Sequence, residues 1–133
     1  MRTLVVVRHV ETYRQLLTMT SLKVLLVPRY EVLMALYDRA DFHAVIYVNN
    51  GWTNFQSLAF QQAVHIHVNH GESDKICMVS NQAKAYDKVF VAGEAAVRRH
   101  GAALAWFDPE HLVRGGRPQL DLSVPAALPV HDG

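Results

Sequence analysis

Short runs rich in Val, Ile and Leu recur at residues 3–8, 22–27, 44–48, 64–69, 88–92 and, more weakly, 112–115. Each has the length and β-branched content of a strand. Several are almost continuously apolar rather than alternating, the pattern of parallel strands covered by helices on both faces. Between them, residues 11–19, 30–37, 53–60, 73–83 and 94–105 carry apolar positions at helical spacing. Strand and helix therefore alternate along the chain. That order predicts an α/β fold: a doubly wound, mostly parallel sheet of about six strands with helices on both faces, Rossmann-like in its connections.

The boundaries carry their own signals. Asn49, Asn50 and Gly51 suit a tight turn because all three tolerate positive φ, and Thr53 can cap the helix that follows. Gly71 and Ser73 play the same parts after the fourth strand, Gly93 follows the fifth, and Asp108-Pro109-Glu110 opens a single helical turn. From Ser123 onward two prolines and the loss of periodicity mark a tail. The expected organisation is one domain over residues 1–121, with residues 122–133 as a tail or the start of a linker. No internal repeat or low-complexity block interrupts it.

Composition narrows the classes of function. In 133 residues, 13 Lys and Arg stand against 12 Asp and Glu, a formal charge of +1, so no long-range field draws in nucleic acid or anionic lipid. An anionic ligand must be held locally. Cys77 is the only cysteine, which favours a reducing compartment and a cytoplasmic location. The N-terminal apolar run is too short for a membrane span and lacks signal-peptide features.

Ligands of such sheets collect beyond the carboxyl ends of the strands, which selects residues 49–54, 69–75, 93–94 and 116–121. The richest of these is Asn69-His70-Gly71-Glu72-Ser73-Asp74-Lys75. A histidine at a strand exit can serve as a general base if a partner fixes its ring, and Glu72 and Asp74 are candidate partners. Gly71 allows close backbone approach, the first amides of the next helix can receive a phosphate oxygen, and Lys75 can add a point charge. The same residues also suit a plain polar helix start. In the loop after the third strand, Trp52 and Phe55 form a candidate apolar platform for a sugar or polyol, with Asn50 and Asn54 as hydrogen-bonding groups.

Two other patterns compete, and a non-catalytic α/β binding domain is a further alternative. Arg8-His9-Val10-Glu11-Thr12 resembles the Arg-His-Gly-Glu-Thr signature of histidine phosphatases and phosphoglycerate mutases. Val10 stands at the glycine position, where a β-branched residue hinders backbone approach, and the alternative is a strand end followed by a helix start. His65-Ile66-His67-Val68-Asn69-His70 is similar to the His-x-His-x-Asp-His box of metallo-β-lactamase-fold hydrolases, with Asn69 in place of the Asp. Strand alternation puts His65 and His67 on one face, and His70 completes a candidate zinc set. The alternative is a pair of hydrogen-bonded histidines in a core strand.

A longer resemblance favours the His70 segment. The run from Asn69 to Lys75, then Tyr86-Asp87-Lys88-Val89-Phe90-Val91-Ala92-Gly93, then Gly116-Arg117-Pro118-Gln119-Leu120-Asp121, resembles the amino-terminal lobe of CDP-glycerol glycerophosphotransferases. These are teichoic-acid polymerases and primases of cell-wall biogenesis, with the two-lobed GT-B glycosyltransferase architecture. His70, Gly71 and Lys75 fall on their His-Gly-Thr-Pro-Leu-Lys type motif, and Gly116, Pro118 and Asp121 on their Gly-Tyr-Pro-Arg-Asn-Asp type motif. Arg117 falls within the second. The similarity covers roughly residues 44–121, and its strength is the ordered pair of motifs. Glu72, Ser73 and Asp74 replace Thr-Pro-Leu, and Arg117 and Gln119 replace Tyr and Arg, so the substrate is expected to differ.

The resemblance implies that His70 is the base on an acceptor hydroxyl that attacks the β-phosphate of a CDP-type donor. It implies two partners, a nucleotide-diphosphate-activated donor and a polyol-phosphate or glycan acceptor, and neither a resident cofactor nor nucleic acid. In that family the donor is bound mainly by a second lobe, which this sequence is expected to lack, leaving the isolated chain inactive. Peripheral association with the inner face of the membrane is compatible with it, although no basic amphipathic helix stands out.

Overall fold

A computed structural model describes residues 2–68 and 80–116. Six strands appear in chain order: β1 (Leu4–Val7), β2 (Lys23–Leu26), β3 (Ala44–Tyr47), β4 (Val64–Val68), β5 (Lys88–Val91) and β6 (Leu112–Arg114). All six fall inside the apolar runs read from the sequence. The α-helices are α1 (Val10–Met19), α2 (Tyr30–Arg39), α3 (Asn54–Ser57) and α4 (Glu94–Ala103). The α/β class and its parallel pairing are thus as expected. The expected single sheet of six is instead two sheets, β1-β2 and β3-β4-β5-β6. Apolar runs specify strands, whereas the choice of which edges pair is made by tertiary packing.

Two helices differ from the spacing. The helix expected over 53–60 shrinks to α3, flanked by three-residue steps such as Phe55 N to Trp52 O at 3.2 Å and Phe60 N to Ser57 O at 3.1 Å. Asn and Ser are poor residues for a helix interior, so Asn54 and Ser57 favour such tight turns over a continued α-helix. Thr53 does not cap it: its backbone is already helical, at φ −67° and ψ −16°, so its hydroxyl makes no capping bond. Of the helix expected over 73–83, the described part is a 3-10 turn, Asn81–Ala85, opened by Ser80 Oγ accepting from the Gln82 amide at 3.3 Å. The turn at Asn49-Asn50-Gly51 uses no positive φ; among the described residues only Trp106 and Gly116 have it.

The chain divides into two compact units, interleaved in sequence. The first comprises Met1–Val45 and Gly51–Val64. Its β1 and β2 run parallel, from Leu4 opposite Lys23 to Val7 opposite Leu26, and the Val27 amide extends the ladder to Val7 O at 2.8 Å. Its core is Val27, Leu33 and Tyr37, with Val6, Leu25, Met34, Leu36, Phe42, Val45 and Phe60 packed around them. Leu33 and Tyr37 are one turn apart on α2, so a single helical stripe meets the strands. The Tyr37 ring stacks on Phe60 at 4.7 Å and meets Phe42 edge-on at 5.8 Å. Each fully buried side chain of this kind contributes about 1.5–3 kcal/mol.

The second unit comprises Ile46–Asn50 and His65–Gly133. Here β4 pairs with β5 from Ile66 opposite Lys88, and β5 with β6 from Val89 opposite Leu112, both parallel. Its buried apolar residues are Tyr47, Ala83, Tyr86, Val89, Val91, Ala96 and Leu104. Burial alternates along β5, Val89 and Val91 being inside while Lys88 and Phe90 are exposed. The near-continuous run was expected to be covered on both faces. An apolar side chain in a strand does not by itself require burial, and Phe90 instead lies along the backbone at Gly115, 3.2 Å from where a Cβ would stand.

Candidate functional site

Parallel pairing brings the carboxyl ends of β4, β5 and β6, at Val68, Val91 and Arg114, to one edge of the second unit. Asn69, His70, Gly71, Glu72, Ser73, Asp74 and Lys75 follow β4, and Arg117, Pro118 and Asp121 come shortly after β6; all of these lie outside the described residues. What is described along this edge is the frame. Gly93, with extended backbone, opens α4. Glu94 in its first turn accepts from Arg114 Nη2 at 2.6 Å, with both side chains more than half exposed. Solvent screening leaves such a pair worth well under 1 kcal/mol, so it orders the edge more than it stabilises it. Gly116 takes φ +70°, the left-handed region that costs a side-chain-bearing residue about 1 kcal/mol.

Behind that edge four rings pack in the interior. His65 and His67 are 6% and 3% exposed, on one face of β4 as alternation requires. Tyr47 lies 5.8 Å from the His65 ring, Tyr86 stacks on His67 at 5.0 Å, and the two tyrosines meet at 5.1 Å. Tyr47 Oη and His65 Nδ1 share a hydrogen bond of 2.7 Å. The Tyr86 hydroxyl donates to Asn50 Oδ1 at 3.2 Å. Asp87 clamps the backbone of β4 from both sides: its Oδ2 accepts from the His65 amide at 2.7 Å, and its own amide donates to His65 O at 2.9 Å. The arrangement is that of core histidines held by aromatic neighbours. It engages the Nδ1 of His65 with a phenol, and among the described residues no group of three His, Cys, Asp or Glu side chains is placed to hold a metal ion. His70, the third member of that set, is outside them.

The other described histidines of this unit have structural partners. His100, buried on α4, bonds Ala96 O through Nδ1 at 2.8 Å, and His111 Nδ1 lies 3.4 Å from Tyr86 O.

The first unit holds a different feature. Tyr30, Trp52, Phe55, Gln56 and Ala59 line an open concavity of about 480 Å³. Trp52 is 72% exposed and Tyr30 and Phe55 42% each. Gln56 is anchored from behind, since Arg8 Nη1 donates to its Oε1 at 2.6 Å while Arg8 Nη2 donates to Pro28 O at 3.0 Å. Among the described residues Arg8 Nε, buried, has no hydrogen-bond partner. Thus Arg8 is a scaffold for α3, which carries Gln56. His9 stands exposed at the start of α1 with no capping bond, and Val10 is the first helical residue. The Arg8-His9-Val10-Glu11-Thr12 run is therefore a strand end and a helix start.

The structure places Trp52 and Phe55 on the lining of one concavity, with Asn54 at the first position of α3. Asn50 belongs to the other unit, where it serves Tyr86. Sequence reasoning did not reach Tyr30 or Gln56, which lie 22 and 4 residues from Trp52 (52 − 30 and 56 − 52). Nor did it find the pairing of Tyr47 with His65, for which the available signal was a tyrosine and a histidine at buried positions of two strands. No family model, curated protein or solved structure matches the chain. Among the described residues no helix is long and apolar enough to cross a membrane.

Proposed function

We propose that this chain is the acceptor-side lobe of a GT-B type transferase that moves glycerophosphate or a sugar from a CDP-type donor to an acceptor hydroxyl, with His70 as the general base. The observation that carries the reading is the shared edge. The first motif follows β4 and the second follows β6, and the two strands run parallel with only β5 between them. Two strand spacings separate their ends by about 10 Å, so motifs far apart in sequence start within reach of one substrate.

On this reading the imidazole of His70 takes the proton of the acceptor hydroxyl; for glycerophosphate transfer its oxygen attacks the β-phosphate and CMP leaves, and for sugar transfer it attacks the anomeric carbon and CDP leaves. Glu72 or Asp74 orients the ring, and Lys75 offers its charge to phosphate. Gly116 lets the second motif start through a left-handed residue, and the donor is held mainly by a second lobe. The buried ladder of Tyr47, His65, His67 and Tyr86 supplies a rigid floor beneath the β4 exit rather than a reacting group.

The test is His70→Ala in the intact two-lobed enzyme. Turnover falls by a factor of about 100 to 10,000, the usual worth of a general base, while the melting temperature is unchanged. Full turnover in that variant would remove the proposed base.

A further inference from the structure

We propose that the concavity of the first unit is a subsite for an uncharged sugar ring, stacked on Trp52 and Tyr30 and fixed in orientation by Gln56. It rests on the acceptor-side reading for its place in the reaction, but not for the binding itself.

The lining selects the ligand class. Among the described residues Tyr30, Trp52, Phe55 and Ala59 give apolar walls, Gln56 gives a single amide, and none that lines the hollow is charged. Among the described residues a phosphate would find no cation lining the hollow: the guanidinium of Arg8 is already directed to Gln56 and Pro28. A wholly apolar ligand would have no use for a polar group anchored from behind. A sugar ring matches both halves, because its C–H faces lie flat on aromatic rings while its rim of hydroxyls needs a hydrogen-bonding group.

Anchoring also settles the chemistry of Gln56. Arginine only donates, so the atom facing Arg8 Nη1 must be the amide oxygen, which leaves the Nε2 group with two N–H donors for a hydroxyl oxygen. Size points the same way. About 480 Å³ lies within the range of small-ligand sites, roughly 300–1,000 Å³, whereas a protein partner would engage about 20–30 residues on this side. Five of the described residues line the hollow.

The experiment uses the full chain carrying Trp106→Phe. Trp106 is completely exposed, and its removal leaves Trp52 as the only indole. Trp52 emission is followed during titration with methyl β-glucoside, with N-acetylglucosamine and, separately, with glycerol 3-phosphate. A saturable change is expected with a neutral sugar, at a Kd on the order of millimolar as suits a shallow site. Tyr30→Ala abolishes it, and Gln56→Ala weakens it about fivefold to tenfold, the worth of one neutral hydrogen bond. The subsite is overturned if neither sugar gives saturation up to about a hundred times that Kd. It is also overturned if glycerol 3-phosphate binds more tightly than the sugars, or if Tyr30→Ala and Gln56→Ala, both melting as the parent does, leave the response unchanged. Loss of this response in a chain whose His70→Ala variant still abolishes turnover removes the subsite alone. A retained response with an active His70→Ala enzyme removes the transferase reading alone.

Discussion

Replacing Tyr47 with Phe takes away one oxygen and keeps the ring. Tyr47 and His65 are each 6% exposed, and their hydrogen bond is 2.7 Å long. The phenylalanine ring can occupy the same place beside Tyr86, so the apolar contacts of the ladder are preserved. The change therefore isolates the hydroxyl. A buried polar atom deprived of its partner costs about 1–3 kcal/mol, whereas a neutral hydrogen bond formed in exchange for water contributes only about 1. The larger figure applies because bulk water does not reach so deeply buried a site. With about 2 kcal/mol lost from a total of roughly 5–15, the melting temperature of a chain this size falls by about 6–10 °C. Circular dichroism melts and urea titrations of both proteins measure it. The double variant Tyr47→Phe with His65→Leu supplies the control, since removing both polar partners together relieves the penalty that either leaves alone. The double variant should recover about 1–2 kcal/mol relative to the sum of the single changes. A Tyr47→Phe protein within about 0.3 kcal/mol of the parent, or strictly additive single changes, would refute the claim that this bond holds the ladder.

Burial raises the pKa of the Tyr37 phenol above its ordinary value, against smaller opposite effects from a Ser57 hydrogen bond and the Arg8 charge. The folded chain then holds that proton at pH values where the unfolded chain has released it, so stability falls as pH rises above about 10; Tyr37→Phe should flatten that alkaline decline in urea titrations at pH 8 to 11. Gly116→Ala places a Cβ on a backbone at φ +70° and should destabilise by about 1 kcal/mol, with Gly116→Asn costing less. Gly101→Ala, inside α4 with nothing within 4 Å of the added carbon, should instead stabilise by about 0.5–1 kcal/mol in the same denaturation assay.

The strands were legible because each is a short run rich in Val, Ile and Leu: β1 is wholly apolar, whereas His65 and His67 alternate with apolar residues in β4 and a lysine opens β2 and β5. Residues 88–92 showed where β5 lies, and residues 112–115 showed even the three-residue β6. Helix α2 was legible because Leu33 and Tyr37 repeat at helical spacing. The length of α3 was not, since the apolar residues around it, Trp52, Phe55, Leu58 and Phe60, fit a helix and a chain of tight turns alike. Edge pairing was hidden as well: nothing in the composition of β2 or β3 says which neighbour it takes. For the candidate site, alternation alone placed His65 and His67 together. The ring partners that define their environment come from residues 18 positions before His65 (65 − 47) and 19 after His67 (86 − 67), a distance no local pattern spans. The concavity is similar, since Tyr30 joins Trp52 only through folding.

The chain crosses between the two compact units three times, after Val45, after Asn50 and after Val64. Neither unit is a continuous stretch of sequence. A fragment covering residues 2–64 would carry Tyr47 and Asn50 away from His65 and Tyr86, and its remainder would open on a His65 stripped of its phenol. Dissection by truncation is therefore the wrong instrument for this molecule. Separating its parts calls for point substitutions, or for rejoining the termini and opening the chain elsewhere. A protease nick between Asn50 and Gly51 would leave each piece dependent on the other to fold.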